Sequence, residues 1–214
     1  MIPKAIQELA DSLAHLPGIG PRQALRIAFY LARGHKTDVE NLSSTVAALK
    51  TIKACADCFL LFEVSSRPPS RDPDPPLERK DSVCSICSDK KRESGLIAIV
   101  EKETDLISLE KARAFNGKYL VIGELKKDGI LEQSHRLRLA KLKERITHDA
   151  NGNANEIIIA LSPTTYGDIQ ASVLQSELNG LAKKITRLGR GIPTGGEIEF
   201  ADEDTLSQSL KNRG

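Results

Sequence analysis

Leu96–Gly123 reads LIAIVEKETDLISLEKARAFNGKYLVIG. LIAIV is an unbroken apolar run, the pattern of a strand buried on both faces. ETDLISLEKARAF is an amphipathic helix by its apolar spacing, and KYLVIG returns to a strand pattern. The alternation continues towards the C-terminus. Ser134–Thr147 is a basic amphipathic helix, EIIIAL a strand, Ile169–Leu181 a helix and KITRLG a short strand. Strands that alternate with helices imply a parallel sheet covered on both faces. The last segment, GIPTGGEIEFADEDTLSQSLKNR, reads as a glycine-bounded strand followed by a short closing helix.

Two carboxylates stand at the ends of these strands. Glu101 directly follows IAIV, and Asp168 follows IIIALSPTTYG. Ligands of open α/β sheets bind at that edge, and paired acids there suit Mg²⁺. A strand ending in Glu, with a later strand ending in acid-x-acid, resembles the Toprim domain of topoisomerases and primases. Tyr166 occupies the first acidic position of that second element, leaving Glu101 and Asp168 with Asp105 nearby. That set is thin for two-metal phosphoryl chemistry. The alternatives are helix capping by these acids, one weak Mg²⁺ site, or a Mg²⁺-dependent nuclease or phosphotransferase. IEFAD also looks like a nucleotide-binding strand ending in Asp202. The chain contains no GxxxxGK[ST] loop, so a plain strand end is the expectation.

Upstream lie the only four cysteines, as CADC at Cys55 and Cys58 and CSIC at Cys84 and Cys87. Matched CxxC pairs offer four thiolates to a tetrahedral Zn²⁺ and leave no open coordination position. One structural zinc ion per chain is expected, and it supplies much of this module's folding free energy. A zinc-ribbon interaction module without a DNA role is the rival reading. The pairs are separated by 25 residues that include RPPSRDPDPP at Arg67–Pro76, a stiff polar loop expected to be disordered.

The first 54 residues read as a small helical unit. Ile6, Leu9, Ala10 and Leu13 recur at helical spacing. Pro21 opens a second helix that Gly34 stops. Thr37 or Asp38 is placed to cap a third, Val39–Ala54. Between the first two stands His15–Arg26, HLPGIGPRQALR. PGIG requires a backbone with positive φ, and bare glycines let a ligand approach the main chain. The helix N-terminus that follows offers amides and partial positive charge to an anion. Arg22 and Arg26 lie four residues apart on one face, with Arg33 close to it. The pattern resembles a helix-hairpin-helix, a phosphate-binding device indifferent to sequence, with Gly18, Gly20, Arg22 and Arg26 as its contact residues.

The chain has 214 residues, a net charge of only +2, and 4% aromatic residues with no tryptophan. No global field draws it to nucleic acid, so phosphate binding must be local. Stacking platforms of the single-strand-binding kind are not expected to dominate. The N-terminus is not expected to act as a secretory leader, no apolar run reaches membrane-spanning length, and the expected location is the cytoplasm.

Hairpin, paired CxxC, Toprim-like sheet and the GRGIPTGGEIEFADEDTLSQSL tail, in this order, resemble the RecR family of bacterial recombination mediators over nearly the whole chain. The resemblance implies a non-enzymatic, nucleoid-associated DNA clamp. Copies assemble into dimers or tetrameric rings through exchanged terminal elements, and RecO and RecF help them load RecA on gapped single-stranded DNA. It implies DNA contact at Arg22 and Arg26, zinc at Cys55, Cys58, Cys84 and Cys87, and partner or metal contact at Glu101, Asp105 and Asp168. The expected fold is α+β and multi-domain. Residues 1–54 form the hairpin unit, 55–94 the finger, 95–190 the Toprim domain and 191–214 an oligomerisation segment. Two departures stand out: the proline-rich insertion at 64–82, and PTTYGD and LKKDGI where the family has PTxEGE and LSPLDGI.

Overall fold

The computed structural model describes residues 2–63, 82–150 and 152–213. The chain divides into two compact units, Met1–Ile52 and Lys53–Gly214.

The first unit holds α1 (Lys4–Ala14), α2 (Pro21–Arg33) and α3 (Lys36–Ala48). α1 and α2 pack through Ala10, Ala24 and Ala28, with Ile6, Leu13, Ile19 and Leu25 around them. Small residues at the crossing let the two helices approach closely. α3 buries nothing. Val39, Leu42, Val46 and Leu49 form a stripe at three- and four-residue spacing and are 41–64% exposed. Two expectations change here. The third helix starts at Lys36 and ends at Ala48, and its N-cap is His35, whose side chain makes no capping bond. Residues Ile52–Ala54 form strand β1, paired with β2 (Leu61–Glu63). The β-branched pair Thr51 and Ile52 favours an extended chain once that partner is present.

The second unit is built on a four-stranded parallel sheet in the order β4-β3-β5-β6. Its strands are β3 (Glu93–Val100), β4 (Gly117–Val121), β5 (Ala154–Ala160) and β6 (Ala182–Arg187). α4 (Ser85–Ser88) precedes β3, and α5 (Glu103–Ala112), α6 (Gln133–Asp149) and α7 (Thr165–Glu177) make the crossovers. Side chains alternate across the pleat. Ile97, Ile99, Leu120, Ile157 and Ile159 meet Leu139, Leu142 and Ile146 of α6 and Leu174 of α7. Ala98, Val100, Tyr119 and Val121 meet Leu106 of α5 on the opposite face. The chain leaves β3 for β4 at one edge and returns to β5 on the other side of β3. The topological switch point therefore lies between β3 and β5, beside Glu101 and the residues after Ala160.

The C-terminal strand expected around Ile198 is not formed. Ile198–Phe200 is one 3₁₀ turn, followed by α8 (Glu203–Lys211). A strand requires a pairing edge, and none is supplied to this stretch among the described residues. Ile198 is 69% and Phe200 80% exposed. Asp202 ends no strand: its carboxylate caps α8, accepting from Thr205 N at 2.8 Å and Thr205 Oγ1 at 2.9 Å. Arg67–Pro76, and all of the 64–82 insertion except Ser82, lie outside the described residues.

Candidate nucleic-acid interface and metal centre

The hairpin owes its shape to Gly18, whose φ of +81° a side chain would strain. Gly20 differs. Its φ of −80° and ψ of 165° suit any residue. A Cβ built at either glycine meets nothing within 4 Å. Glycine at position 20 thus answers neither to backbone strain nor to packing. It keeps the space above the chain open.

α2 starts at once, its first bond running from Ala24 N to Gly20 O at 2.9 Å. Pro21 has no N–H, so the amides of Arg22 and Gln23 are left without intrahelical acceptors. No side chain caps them. Arg22 and Arg26 are exposed on the face opposite Ala24 and Ala28. Neither guanidinium has an ion-pair or hydrogen-bond partner among the described residues. Arg33 lies over the Phe29 ring, 5.9 Å from its centroid. Bare amides, a helix dipole and two unpaired guanidinium groups on one surface can hold a phosphodiester.

The cysteines converge. The four sulfurs lie within 4.8 Å of one another, with Cys58 Sγ 3.5 Å from Cys84 Sγ. A tetrahedron with metal–sulfur bonds of ~2.3 Å has edges of about 3.8 Å, so the cluster fits Zn²⁺. Each CxxC forms the same turn: Phe59 N donates to Cys55 O and Ser88 N to Cys84 O, both at 3.0 Å. Cys84 N donates to Cys55 Sγ at 3.3 Å, a bond that favours thiolate. The thiols compete for protons. Hydrogen bonds from Cys58 and then Cys84 hold Cys55 down, while those with Cys55 and Cys84 push Cys58 up. Only a cation lets all four ionise together.

Cations on the parallel-sheet framework support this centre. Lys118 of β4 donates to the carbonyls of Ile86, Cys87 and Asp89, at 3.0, 3.0 and 2.7 Å. Arg145 of α6 donates to Asp57 O at 3.1 Å and Tyr119 O at 3.2 Å. Its Nη2 is buried without an acceptor among the described residues. A four-thiolate centre around a dication carries net negative charge, which compensates such a guanidinium. Val121 N donates to Cys58 O at 2.8 Å, and Arg138 stacks on Phe59 at 5.0 Å from the ring centroid. Nothing in the local spacing of Lys118, Arg138 or Arg145 marks these residues, because their partners lie 17–88 positions away.

At the sheet edge the acids are engaged. Glu101 Oε1 accepts from Leu125 N at 3.1 Å. Asp105 closes the start of α5 by accepting from Lys102 N at 3.1 Å. Asp168 lies in the first turn of α7, which Thr164 caps through Gly167 N. A side chain at Gly167 would place its Cβ 2.0 Å from Ser162 O, so only glycine closes this turn. Asp168 Oδ1 accepts from Arg187 at 2.5 Å and also from Arg190, which reaches Oδ2 at 3.2 Å. These bonds, Arg190's first, hold the Asp168 carboxyl below the usual carboxylate range. Arg187 and Arg190 were not singled out by any motif. They place two protein cations where a metal would need open oxygen, and Tyr166 adds no ligand.

Asp168 therefore anchors the start of the C-terminal segment, where Ile192 N bonds Ser209 Oγ at 3.0 Å and Asn212 bonds Arg190 O at 2.9 Å. Replacing Asp168 with Asn is expected to speed amide exchange at Ile192 by up to about fivefold, the equivalent of ~1 kcal/mol. Global stability falls by less than ~1 kcal/mol, because the cluster is part-exposed and screened. The pH dependence has a fixed sign. Because the folded-state pKa is depressed, this stabilisation is present above the unfolded value of ~3.9 and is lost as pH falls through the folded one. Ile192 exchange followed by NMR in both proteins tests the assignment.

Comparisons with known proteins agree with this geometry. Residues 6–50 match the family model "RecR, helix-hairpin-helix", residues 95–189 the "Toprim domain" model, and residues 191–213 "RecR, C-terminal". The protein named Recombination protein RecR from Dehalococcoides mccartyi is 36% identical over 212 residues, covering 98% of this chain and 93% of its own length. Its namesake from Bifidobacterium animalis subsp. lactis is 37% identical over 210 residues, covering 98% and 95%. That from Frankia alni is 32% identical over 211 residues, covering 97% and 95%. Identity at this level over whole chains, with the domain models in the order the structure displays, places this chain in the RecR family of recombination proteins.

Proposed function

We propose that the chain serves recombinational repair as a non-enzymatic clamp. The hairpin at Gly18–Arg26 grips the DNA backbone, and assembly of several copies retains it. The observation that carries this reading is the exposed pair Arg22 and Arg26, without carboxylate partners among the described residues, beside an open glycine turn. A non-enzymatic role is supported by the Toprim edge, where Asp168 is held by Arg187 and Arg190 and Glu101 by a backbone amide. Zinc, one ion per chain, holds Cys55, Cys58, Cys84 and Cys87 together as a structural ligand set. Glu101, Asp105 and the Asp168 surface are assigned to contacts with RecO-like and RecF-like partners. The working location is the cytoplasm, on the nucleoid; among the described residues no helix is long and apolar enough to cross a membrane.

Assembly into a dimer or tetrameric ring has its own support. Among the described residues the first unit buries only Ala10, Ala24 and Ala28, a core too small to stabilise it alone. The α3 stripe, and Ile198, Phe200 and Leu210 of the tail, remain apolar and exposed. One weak hairpin per copy becomes useful binding when a ring repeats it at high effective concentration.

Sedimentation velocity with and without gapped DNA tests both parts together. The expected result is an oligomer that co-sediments with the DNA. Val46→Glu with Leu49→Glu, changes confined to the exposed stripe that runs from α3 into the turn after it, should yield smaller species that release the DNA. A strictly monomeric protein with tight binding would overturn the clamp.

A further inference from the structure

We infer that Tyr30 is a stacking platform for an unpaired base, so that the hairpin face of α2 reads single-stranded DNA and not merely phosphate. This inference rests on the hairpin reading above. Residues 22, 26 and 30 follow one another at intervals of four. On an α-helix each interval advances about 6 Å and turns about 40°. Arg22, Arg26 and Tyr30 therefore form one gently winding row, while Ala24 and Ala28 face α1 on the other side. Tyr30 is 77% exposed. Its hydroxyl has no hydrogen-bond partner among the described residues. Phe29, one residue earlier, has its ring covered by the Arg33 guanidinium. No cation covers the Tyr30 ring among the described residues, so a whole π-face is open to solvent at the end of a row of cations.

The charge of that row selects the occupant. Three arginines, at 22, 26 and 33, and no acidic residue lie within α2. An apolar protein segment gains little from such surroundings, whereas a polyanion that carries flat rings gains from both features. In a duplex the base faces are already stacked and cannot reach a side chain beside the backbone. In a single strand they can. Phosphates held by Arg22 and Arg26 would bring the next base to the Tyr30 ring. The scarcity of aromatic residues argues against an extended stacking surface, and a single ring on a basic helix is compatible with it.

The chain contains no tryptophan, so Tyr30→Trp in the full-length protein introduces a lone reporter. It is titrated with oligothymidylate, with an abasic oligodeoxyribose of the same length, and with blunt duplex. Oligothymidylate should quench the indole emission, and the abasic and duplex probes should leave it nearly unchanged. In parallel, Tyr30→Ala should weaken oligothymidylate binding about tenfold. Its abasic affinity and salt slope should stay at wild-type values, and Tyr30→Phe should retain wild-type affinity. If Tyr30→Ala binds oligothymidylate as the wild type does, or the indole responds to protein concentration and not to bases, the stacking assignment is wrong and the phosphate grip stands. If the wild type binds none of the probes, the hairpin reading fails with it.

Discussion

Removing the zinc ion proposed for the four-cysteine cluster is expected to be the most damaging single change to this molecule. Structural zinc sites in small fingers contribute an apparent ~10–16 kcal/mol at neutral pH. Here three of the four cysteines are fully buried, Cys55 and Cys58 at 0% and Cys84 at 1% exposure, and Cys87 is partly buried. Without the metal, four crowded sulfurs cannot all ionise in a space shaped for thiolates. The damage spreads because the finger is bonded to the sheet. Lys118 lies on edge strand β4 and holds three finger carbonyls. Val121 N, on the same strand, donates to Cys58 O. Arg145, whose Nη2 is buried without an acceptor among the described residues, would lose the negative centre proposed to compensate it. Even a loss of ~4 kcal/mol lowers Tm by roughly 8–16 °C in a chain of this size. Chelation, or Cys58→Ser, should therefore depress Tm by at least ~10 °C and abolish amide protection across β4. Scanning calorimetry with metal analysis checks this. A purified protein that holds no zinc and melts unchanged on chelation would remove the metal centre from this account.

The parallel sheet was legible because strands buried on both faces read as apolar runs, and LIAIV, KYLVIG and EIIIAL differ plainly from the amphipathic segments between them. The cysteine cluster was legible because ligand spacing is a local property. The failures have a common cause. Ile52–Ala54 reads as the end of a helix until Leu61–Glu63 arrives to pair with it. IEF reads as a strand, yet a strand is a relation between two segments, and the described chain supplies no second one. Asp168 shows the same limit at the site. Its place after a strand suggested metal, while its two guanidinium partners arrive from 19 and 22 residues further on. Pairing partners and counter-charges are non-local, and a single sequence holds them only implicitly. The hairpin was readable for the opposite reason: glycine turn, proline at N1 and the arginine spacing all fall within twelve consecutive residues.

Replacing Arg22 and Arg26 together by Ala is expected to remove most DNA affinity without unfolding the protein. Both side chains are exposed and unpaired among the described residues, and Ala is a better helix former than Arg, so α2 should lose nothing. The binding loss has a distinctive form. A phosphate contact releases condensed counterions, so the slope of log affinity against log salt should fall by about 0.9 per lost contact on duplex and about 0.7 on single strands. The double variant should therefore shed up to about 2 from the duplex slope. The hairpin amides remain, so some weak binding should persist. Gly20→Val probes those amides separately. Its backbone angles are ordinary and the surrounding space is empty, so the free protein should fold normally. A bulky side chain there holds a phosphate away from the Arg22 and Gln23 amides, and affinity should fall with little change in slope. Fluorescence anisotropy at several salt concentrations separates the two effects. The contrast matters because a merely solvated arginine pair predicts something else: unchanged affinity, unchanged slope and indifference to position 20. Arginines that act through general charge alone would instead lower the slope while leaving Gly20→Val at wild-type affinity. Loss of affinity in both variants, with the slope falling only in the first, is the outcome that requires phosphate to sit in the turn itself.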